Sequence, residues 1–409
     1  MQQAPSEDAR PVLKAQLTAG LIATVVFLTA IAPLATDMYV PAFPQVAGDL
    51  SSTATQVQLT LTTFFVGMAL GQLVGGPVSD QRGRRGPLLA ALLAMTAASV
   101  VCALAPSIAV MTVARLVQGF AGGWAMVTGR AIIVDLATGV RLVRVLNVIA
   151  AVGGIAPIVG PLLGGLILQL SHWRVSFWLV AVLGLAMTSA VLVAVPESLP
   201  PERRHAGGLG NFLAAGRIVL ANREYVGYLV VAGAAMGALF AYVATSAFVL
   251  QSMNGLSPIA YSVDFAANAA GMTVAALIAA RLAGRVSTRK LILVGQLAAL
   301  AAGLALLVGA LWFGTPLVLA LACFFVLMTA QGLMIPNGGA LASAAVRDHP
   351  GTGSAVLGFV QWVAAGTIAP IAGLGGEHTA VPMAALVTAG AAVSMAGLLL
   401  VAKPVRRTP

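Results

Sequence analysis

Apolar positions in this chain fill whole runs of about twenty residues, separated by short polar connectors, the length that spans a bilayer as helix. At ~1.5 Å rise per residue each run matches the ~30 Å hydrocarbon core. The pattern predicts spans at 17–43, 55–78, 87–105, 109–134, 145–169 and 175–196. A second set follows at 224–250, 259–282, 289–311, 316–339, 352–374 and 380–402. Helices are required, because an unclosed strand in lipid leaves backbone groups unpaired at several kcal/mol each.

Composition turns this pattern into a choice of solvent. Of all residues 59% are hydrophobic and 8% charged, whereas a soluble domain carries roughly a quarter charged residues. Lipid is the main solvent. The polar stretch Met1–Val12 holds Glu7 and Asp8 and lacks the basic start of a secretory leader, so the first span is expected to be retained.

The net charge of +10 would suggest nucleic acid in a soluble protein. Here the basic residues sit in alternate connectors, which reads as membrane topology. One side collects Arg10 and Lys14; Arg82, Arg84 and Arg85; Arg141 and Arg144; Arg203, Arg204, Arg217 and Arg223; Arg281, Arg285, Arg289 and Lys290; Arg347; and Lys403, Arg406 and Arg407. The other side has Arg174 alone. The positive-inside rule places both termini in the cytoplasm, which requires an even number of spans.

The longest polar stretch, Glu197 to Asn222, contains Pro200, Pro201 and the pair Gly207–Gly208. It divides the chain into an N-terminal six-helix bundle (1–196), a cytoplasmic linker (197–222) and a C-terminal six-helix bundle (223–409). Two such halves fit parallel repeats with a substrate cavity at the midplane between them.

Catalytic and metal chemistry find little support. Cys102 and Cys323 lie far apart inside apolar runs, and His172, His205, His349 and His378 are scattered. No metal site or triad is expected, and a membrane-embedded transferase would need polar groups clustered at one membrane face. A channel is disfavoured by the lack of a repeated charge ring.

Three motifs carry more. After span two comes Gly76-Pro77-Val78-Ser79-Asp80-Gln81-Arg82-Gly83-Arg84-Arg85, an acid within a turn of three arginines at a helix end. Span four contains Arg115-Leu116-Val117-Gln118-Gly119-Phe120-Ala121-Gly122-Gly123, an arginine at membrane depth beside a small-residue face. Such an arginine costs ~2.5–3.5 kcal/mol on insertion scales and should face protein or a wet cavity. It serves as a fixed cation or as an anchor for backbone carbonyls. Span five reads Gly153-Gly154-Ile155-Ala156-Pro157-Ile158-Val159-Gly160-Pro161-Leu162-Leu163-Gly164-Gly165, where glycines clear one face for close helix approach and prolines permit a bend. Gly67, Gly71 and Gly75 form a similar stripe, so packing alone also accounts for this spacing.

These motifs resemble those of the major facilitator superfamily. The resemblance implies an all-α integral membrane fold of twelve helices in two pseudo-symmetric six-helix bundles. It further implies a conformational latch at Gly76, Asp80, Arg82, Gly83, Arg84 and Arg85, proton transfer associated with Arg115, and an antiporter signature at Gly153, Pro157, Gly160, Pro161, Gly164 and Gly165. The sequence departs from the family pattern at Gln81, where the family usually has a base. The second-half counterpart keeps Arg281, Arg285, Arg289 and Lys290 without the acid.

Within the superfamily the chain is most similar to the bicyclomycin and chloramphenicol resistance group. The residues are Ala35–Ala42, Gly129–Asp135, Trp173-Arg174 with Phe177-Trp178, Pro196-Glu197-Ser198, Asn268, Pro336-Asn337, Gly353-Ser354-Ala355 and Gln361. That group exports drugs against protons. The expected protein is a multi-pass transporter of a bacterial cytoplasmic membrane, acting as a single chain on small drug-like solutes, with the proton as coupling ion and no cofactor. A proton-linked symporter of the same fold is the alternative.

Proton coupling needs an acid that titrates near neutral pH, and an ordinary aspartate ionises near ~3.9, so its surroundings must disfavour the charged form. Asp37 in span one and Asp264 in span eight are the membrane acids, while Asp135 and Glu224 fall at span ends. Asp37 is the better candidate, flanked by Pro33 and Pro41. Some relatives carry a second acid where this chain has Thr29. The expected cavity is mostly apolar, with Tyr39, Gln58, Gln118, Tyr242, Asn268, Asn337, Gln361 and Trp362 as candidate lining residues. Several of these can instead bond helix to helix.

Overall fold

The computed structural model describes residues 18–137, 139–204, 216–346 and 350–402. Among them are twelve helices long and apolar enough to cross a membrane. They are α1 (Ala19–Asp49), α2 (Ala54–Arg82), α3 (Arg85–Leu104), α4 (Ile108–Leu136), α5 (Gly139–Leu170) and α6 (Arg174–Ala194) in the first half. The second half holds α7 (Arg223–Met253), α8 (Pro258–Arg281), α9 (Thr288–Trp312), α10 (Leu317–Ala345), α11 (Pro350–Ala372) and α12 (Val381–Val401). Met1–Val12, Lys14, His205, Gly207, Gly208, Arg347, His349, Lys403, Arg406 and Arg407 lie outside the described residues.

Each predicted span has its helix, with boundaries shifted where the backbone tolerates more length. α1 continues to Asp49 through a short 3₁₀ turn at Val40–Ala42, and α5 begins at Gly139 instead of 145. Helix starts are marked by side chains that accept orphan backbone N–H groups: Thr53 with Gln56 in a capping box, Ser107, Asn222, Ser257 and Ser287.

The helix pairs repeat between halves. In the first half α2 packs on α4, α3 on α6 and α1 on α5; in the second, α8 packs on α10, α9 on α12 and α7 on α11. Across the halves α2 meets α11 and α5 meets α8, which exchange under the same relation. The symmetry reaches single residues. Arg85 at the start of α3 donates to Leu192 O near the end of α6 at 2.7 Å, and Arg289 at the start of α9 donates to Leu398 O in α12 at 2.8 Å.

Close approach between helices rests on glycine. β-carbons at Gly67 and Gly71 in α2 would overlap the Leu116 and Phe120 carbonyls of α4, and one at Gly332 in α10 would overlap the Met272 carbonyl of α8. In lipid, where no hydrophobic force drives helices together, this backbone-level packing is what associates them.

Candidate functional site

A cavity of about 530 Å³ lies between the halves. The first half contributes Thr29, Pro33, Thr36, Asp37, Phe65, Met68, Met126, Arg130 and Gly153 among its walls; the second contributes Met236, Phe240, Phe265, Met272, Met328 and Trp362. All of its charge comes from the first half. Phe65 stacks on Trp362 with ring centroids 5.4 Å apart and meets Phe240 edge-on at 4.3 Å, so an aromatic wall crosses the junction.

Asp37 sits where α1 breaks. Pro41 has no N–H to give to the Asp37 carbonyl and Pro33 none for Thr29, so the helical ladder is interrupted on both sides. The backbone switches to 3₁₀ hydrogen bonds from Tyr39 N to Thr36 O and Ala42 N to Tyr39 O. The Asp37 side chain is 8% exposed and, among the described residues, takes part in no hydrogen bond or ion pair.

The span-five glycines explain how α1 and α5 meet there. A β-carbon on Gly160 would lie 2.7 Å from Asp37 Cβ, and one on Gly164 would overlap the Met38 carbonyl. Gly165 faces the other way, onto Ser262 and Pro258 of α8, and Gly153 opens into the cavity with Pro157 beside it. The motif thus sits against the cavity acid on one side and the second half on the other.

Arg115 is placed differently from Asp37. It is fully buried within the first half, with Nη1 donating to Gln118 Oε1 at 2.7 Å and Ala35 O at 3.2 Å. Its guanidinium lies 4.1 Å from the Phe64 ring centroid, 5.1 Å from Tyr39 and 5.8 Å from Phe177. Gln118 passes the chain of contacts to Ser99 at 2.7 Å. Arg115 therefore braces α1 against α4 and does not line the cavity.

Of the eight candidate lining residues, Trp362 lines the cavity. Tyr39 bonds Thr60 at 3.0 Å, and Asn268 donates to Tyr242 at 3.0 Å and to Asp264 at 2.9 Å. Gln58 Nε2 donates across the halves to Ala244 O at 3.0 Å. Asn337 folds back on Leu333 O at 2.8 Å, and Gln361 is half-buried away from the lining. Polar side chains in this fold are mostly spent on holding helices.

The cavity is sealed at the end opposite the arginine-rich connectors. Thr55 donates to Gly373 O at 2.8 Å, Gln251 to Pro41 O at 3.0 Å, and the Phe43 and Phe248 rings lie 6.0 Å apart. On that end Asp49 also gathers the α5–α6 connector, accepting from Trp173 Nε1 at 2.8 Å and from His172.

At the arginine-rich end, Arg84 bonds Asp80 and reaches Asp135 at 2.9 Å. Burial works to lower its pKa, but the hydrogen bonds and charges of Asp135 and Asp80 outweigh that and raise it. Glu197 caps α3, accepting from the backbone N–H groups of Arg84 at 2.8 Å and Arg85 at 3.2 Å, and Ser198 donates to Asp135 at 3.0 Å. Gly83 has φ +92°, and a β-carbon there would press on Glu197. Arg82 is exposed. The network ties α2, α3, α4 and α6 together.

In sequence Arg130 has no role of its own beyond the Gly129–Asp135 stretch that carries the family resemblance, although it lies inside the helix of span four as Arg115 does. Its side chain is exposed in the cavity, and among the described residues it has no hydrogen-bond or ion-pair partner. The neighbouring Gly129 faces Val25 and Leu28, which puts Arg130 roughly 14–18 Å from Asp37 along the axis of α1 at 1.5 Å per residue. The five cavity methionines left no signal in sequence either, because methionine in an apolar span reads as generic lipid-facing or core residue.

Two helical bundles related by pseudo-symmetry, enclosing a cavity closed at one end, define a secondary transporter. The chain belongs to the Major Facilitator Superfamily, whose family model matches residues 25–370. It is 34% identical over 361 residues to the uncharacterized MFS-type transporter YdgK of Bacillus subtilis (strain 168), covering 88% of this chain and 89% of that one. It is 30% identical over 380 residues to the bicyclomycin resistance protein homolog of Haemophilus influenzae, covering 91% and 93%. It is 26% identical over 331 residues to the multidrug resistance protein MdtL of Escherichia coli O81 (strain ED1a), covering 80% and 82%. Among solved structures, a D-xylose-proton symporter shares the fold with a TM-score of 0.73 at 14% identity, over 93% of this chain and 98% of that one. The family is one of transporters, not enzymes.

Proposed function

We propose that this chain exports drug-like amphipathic molecules in exchange for protons, by alternating access of its two bundles about the central cavity. Asp37 carries the reading: an acid at the deep end of a mostly apolar cavity, without a hydrogen-bond or ion-pair partner among the described residues, pressed against the glycine face of α5. A carboxylate left without protein partners in such a place is suited to take a proton or a cationic or polar group of the solute, one at a time. The names of the relatives from Haemophilus influenzae and Escherichia coli support drugs as the solutes.

The arginine-rich end faces the cytoplasm of a bacterial cell in this reading, with both termini inside, so the sealed end faces outward. Segments 1–196 and 223–409 rock against each other across the 197–222 connector. The Arg84 network with Asp80, Asp135 and Glu197 keeps the first bundle rigid at the end that opens and closes.

Purified protein in proteoliposomes with an imposed pH gradient tests the coupling. Asp37→Asn should abolish gradient-driven transport of a fluorescent drug while leaving gradient-independent exchange measurable. Full gradient-driven transport by Asp37→Asn would remove Asp37 from the mechanism.

A further inference from the structure

Arg130 is a second charged group in the cavity, and the coupling reading gives it no task. It stands on α4 with an exposed side chain, no partner among the described residues, and an apolar wall of methionine and aromatic rings facing it from the other half. An arginine is weakly hydrated, planar and permanently charged, and its fork matches carboxylates and related oxyanions. It lies roughly 14–18 Å along the α1 axis from Asp37, toward the arginine-rich end.

From this placement we propose that Arg130 is a specificity-determining residue that selects amphipathic solutes bearing an anionic group, a carboxylate or similar oxyanion, at the end facing the cavity mouth. The apolar body of the solute lies between Met68, Met126, Met272 and Met328 and against Trp362, and its other end reaches toward Asp37. Methionine side chains repack around varied shapes, so the charge sets the class and the wall tolerates the rest. The separation of the two charges lets an anion bind at the mouth while Asp37 exchanges its proton or engages a polar group at the deep end. The inference deepens the export reading and concerns the same cavity.

Its test needs no proton gradient and therefore stands apart from the coupling test. Equilibrium binding to the purified full chain is measured for a matched panel of aromatic carboxylic acids and their methyl esters. The native chain should favour the acids about tenfold on average, the effect of one charge-assisted hydrogen bond. Arg130→Gln should bring the acid-to-ester ratio close to one, and Arg130→Lys should leave it intermediate. Esters binding as well as acids to the native chain, or an acid preference that survives Arg130→Gln, would overturn the proposal. So would loss of the acid preference when phosphatidylglycerol is added at membrane-like ratios, because the guanidinium would then belong to a lipid phosphate.

Discussion

Asp37 and Gly160 touch so closely that a β-carbon on the glycine would come within 2.7 Å of the aspartate Cβ. The α5 glycine motif and the cavity acid are thus one structural unit. How near α5 can come decides where the carboxyl is held.

Gly160→Ala is therefore expected to reduce transport at least tenfold by pushing α5 off α1, at a stability cost of about 1–3 kcal/mol from overpacking. Gly154→Ala provides the comparison, since its β-carbon meets only Thr273 at 3.7 Å. Transport by the two variants in the same vesicles checks this. Equal losses would mean that the motif acts through general helix packing and not through Asp37.

The seal at the end opposite the arginines depends on a similar fit. A β-carbon on Gly373 would overlap the Gln58 side-chain amide, whose Nε2 bonds Ala244 O, and Gly373 itself accepts from Thr55. Gly373→Ala should shift the population toward the state open at that end. A cysteine at Thr55 should then react several-fold faster with a membrane-impermeant maleimide added from that side. An unchanged rate would show that the Gln58 contact does not hold the seal.

The arginine-rich end offers a test by contrast between neighbours. Arg84 is buried and satisfies both Asp80 and Asp135, whereas Arg82 is exposed. Arg84→Ala leaves two carboxylates without their cation. Because Asp80 is itself half-exposed, the expected loss is about 1–3 kcal/mol and not the full cost of a buried pair. Arg82→Ala should lie within about 0.5 kcal/mol of the native chain. Thermal unfolding of the detergent-purified variants separates them, and a larger loss for Arg82→Ala would reverse the assignment.

Span count, span order and the pairing of basic connectors were legible because lipid leaves few ways to place a charge or an unpaired peptide group. The place of Asp37, an acid well inside a span and at the cavity wall, was legible for the same reason. The cavity lining was not. Gln58, Gln118 and Asn268 look in sequence like groups reaching for a solute, but in lipid they are equally suited to bond another helix, and that is where they go. Glycine stripes mark close approach without naming the partner: Gly67 and Gly71 face α4, while Gly160 and Gly164 face α1. Arg130 was visible in sequence only as part of the Gly129–Asp135 stretch, because nothing in its spacing says whether an arginine near the end of a span faces a cavity or a neighbouring helix.

Arg115 shows how a motif residue can be necessary without touching the solute. Its charge is met by the faces of Phe64, Tyr39 and Phe177 and by two hydrogen bonds of Nη1, while Nε and Nη2 have no partner. A planar guanidinium can lie among three rings and still reach Ala35 O and Gln118, and a lysine ammonium cannot do both. Arg115→Lys should then lower stability by about 1–3 kcal/mol through the lost stacking and the stranded Gln118, with an unchanged pH profile for whatever transport remains. Measuring the melting temperature together with the pH dependence of transport decides the matter. A displaced pH profile at native stability would mean that Arg115 acts on the proton-carrying acid across the helix, and its place would move from the frame of the first bundle to the coupling site.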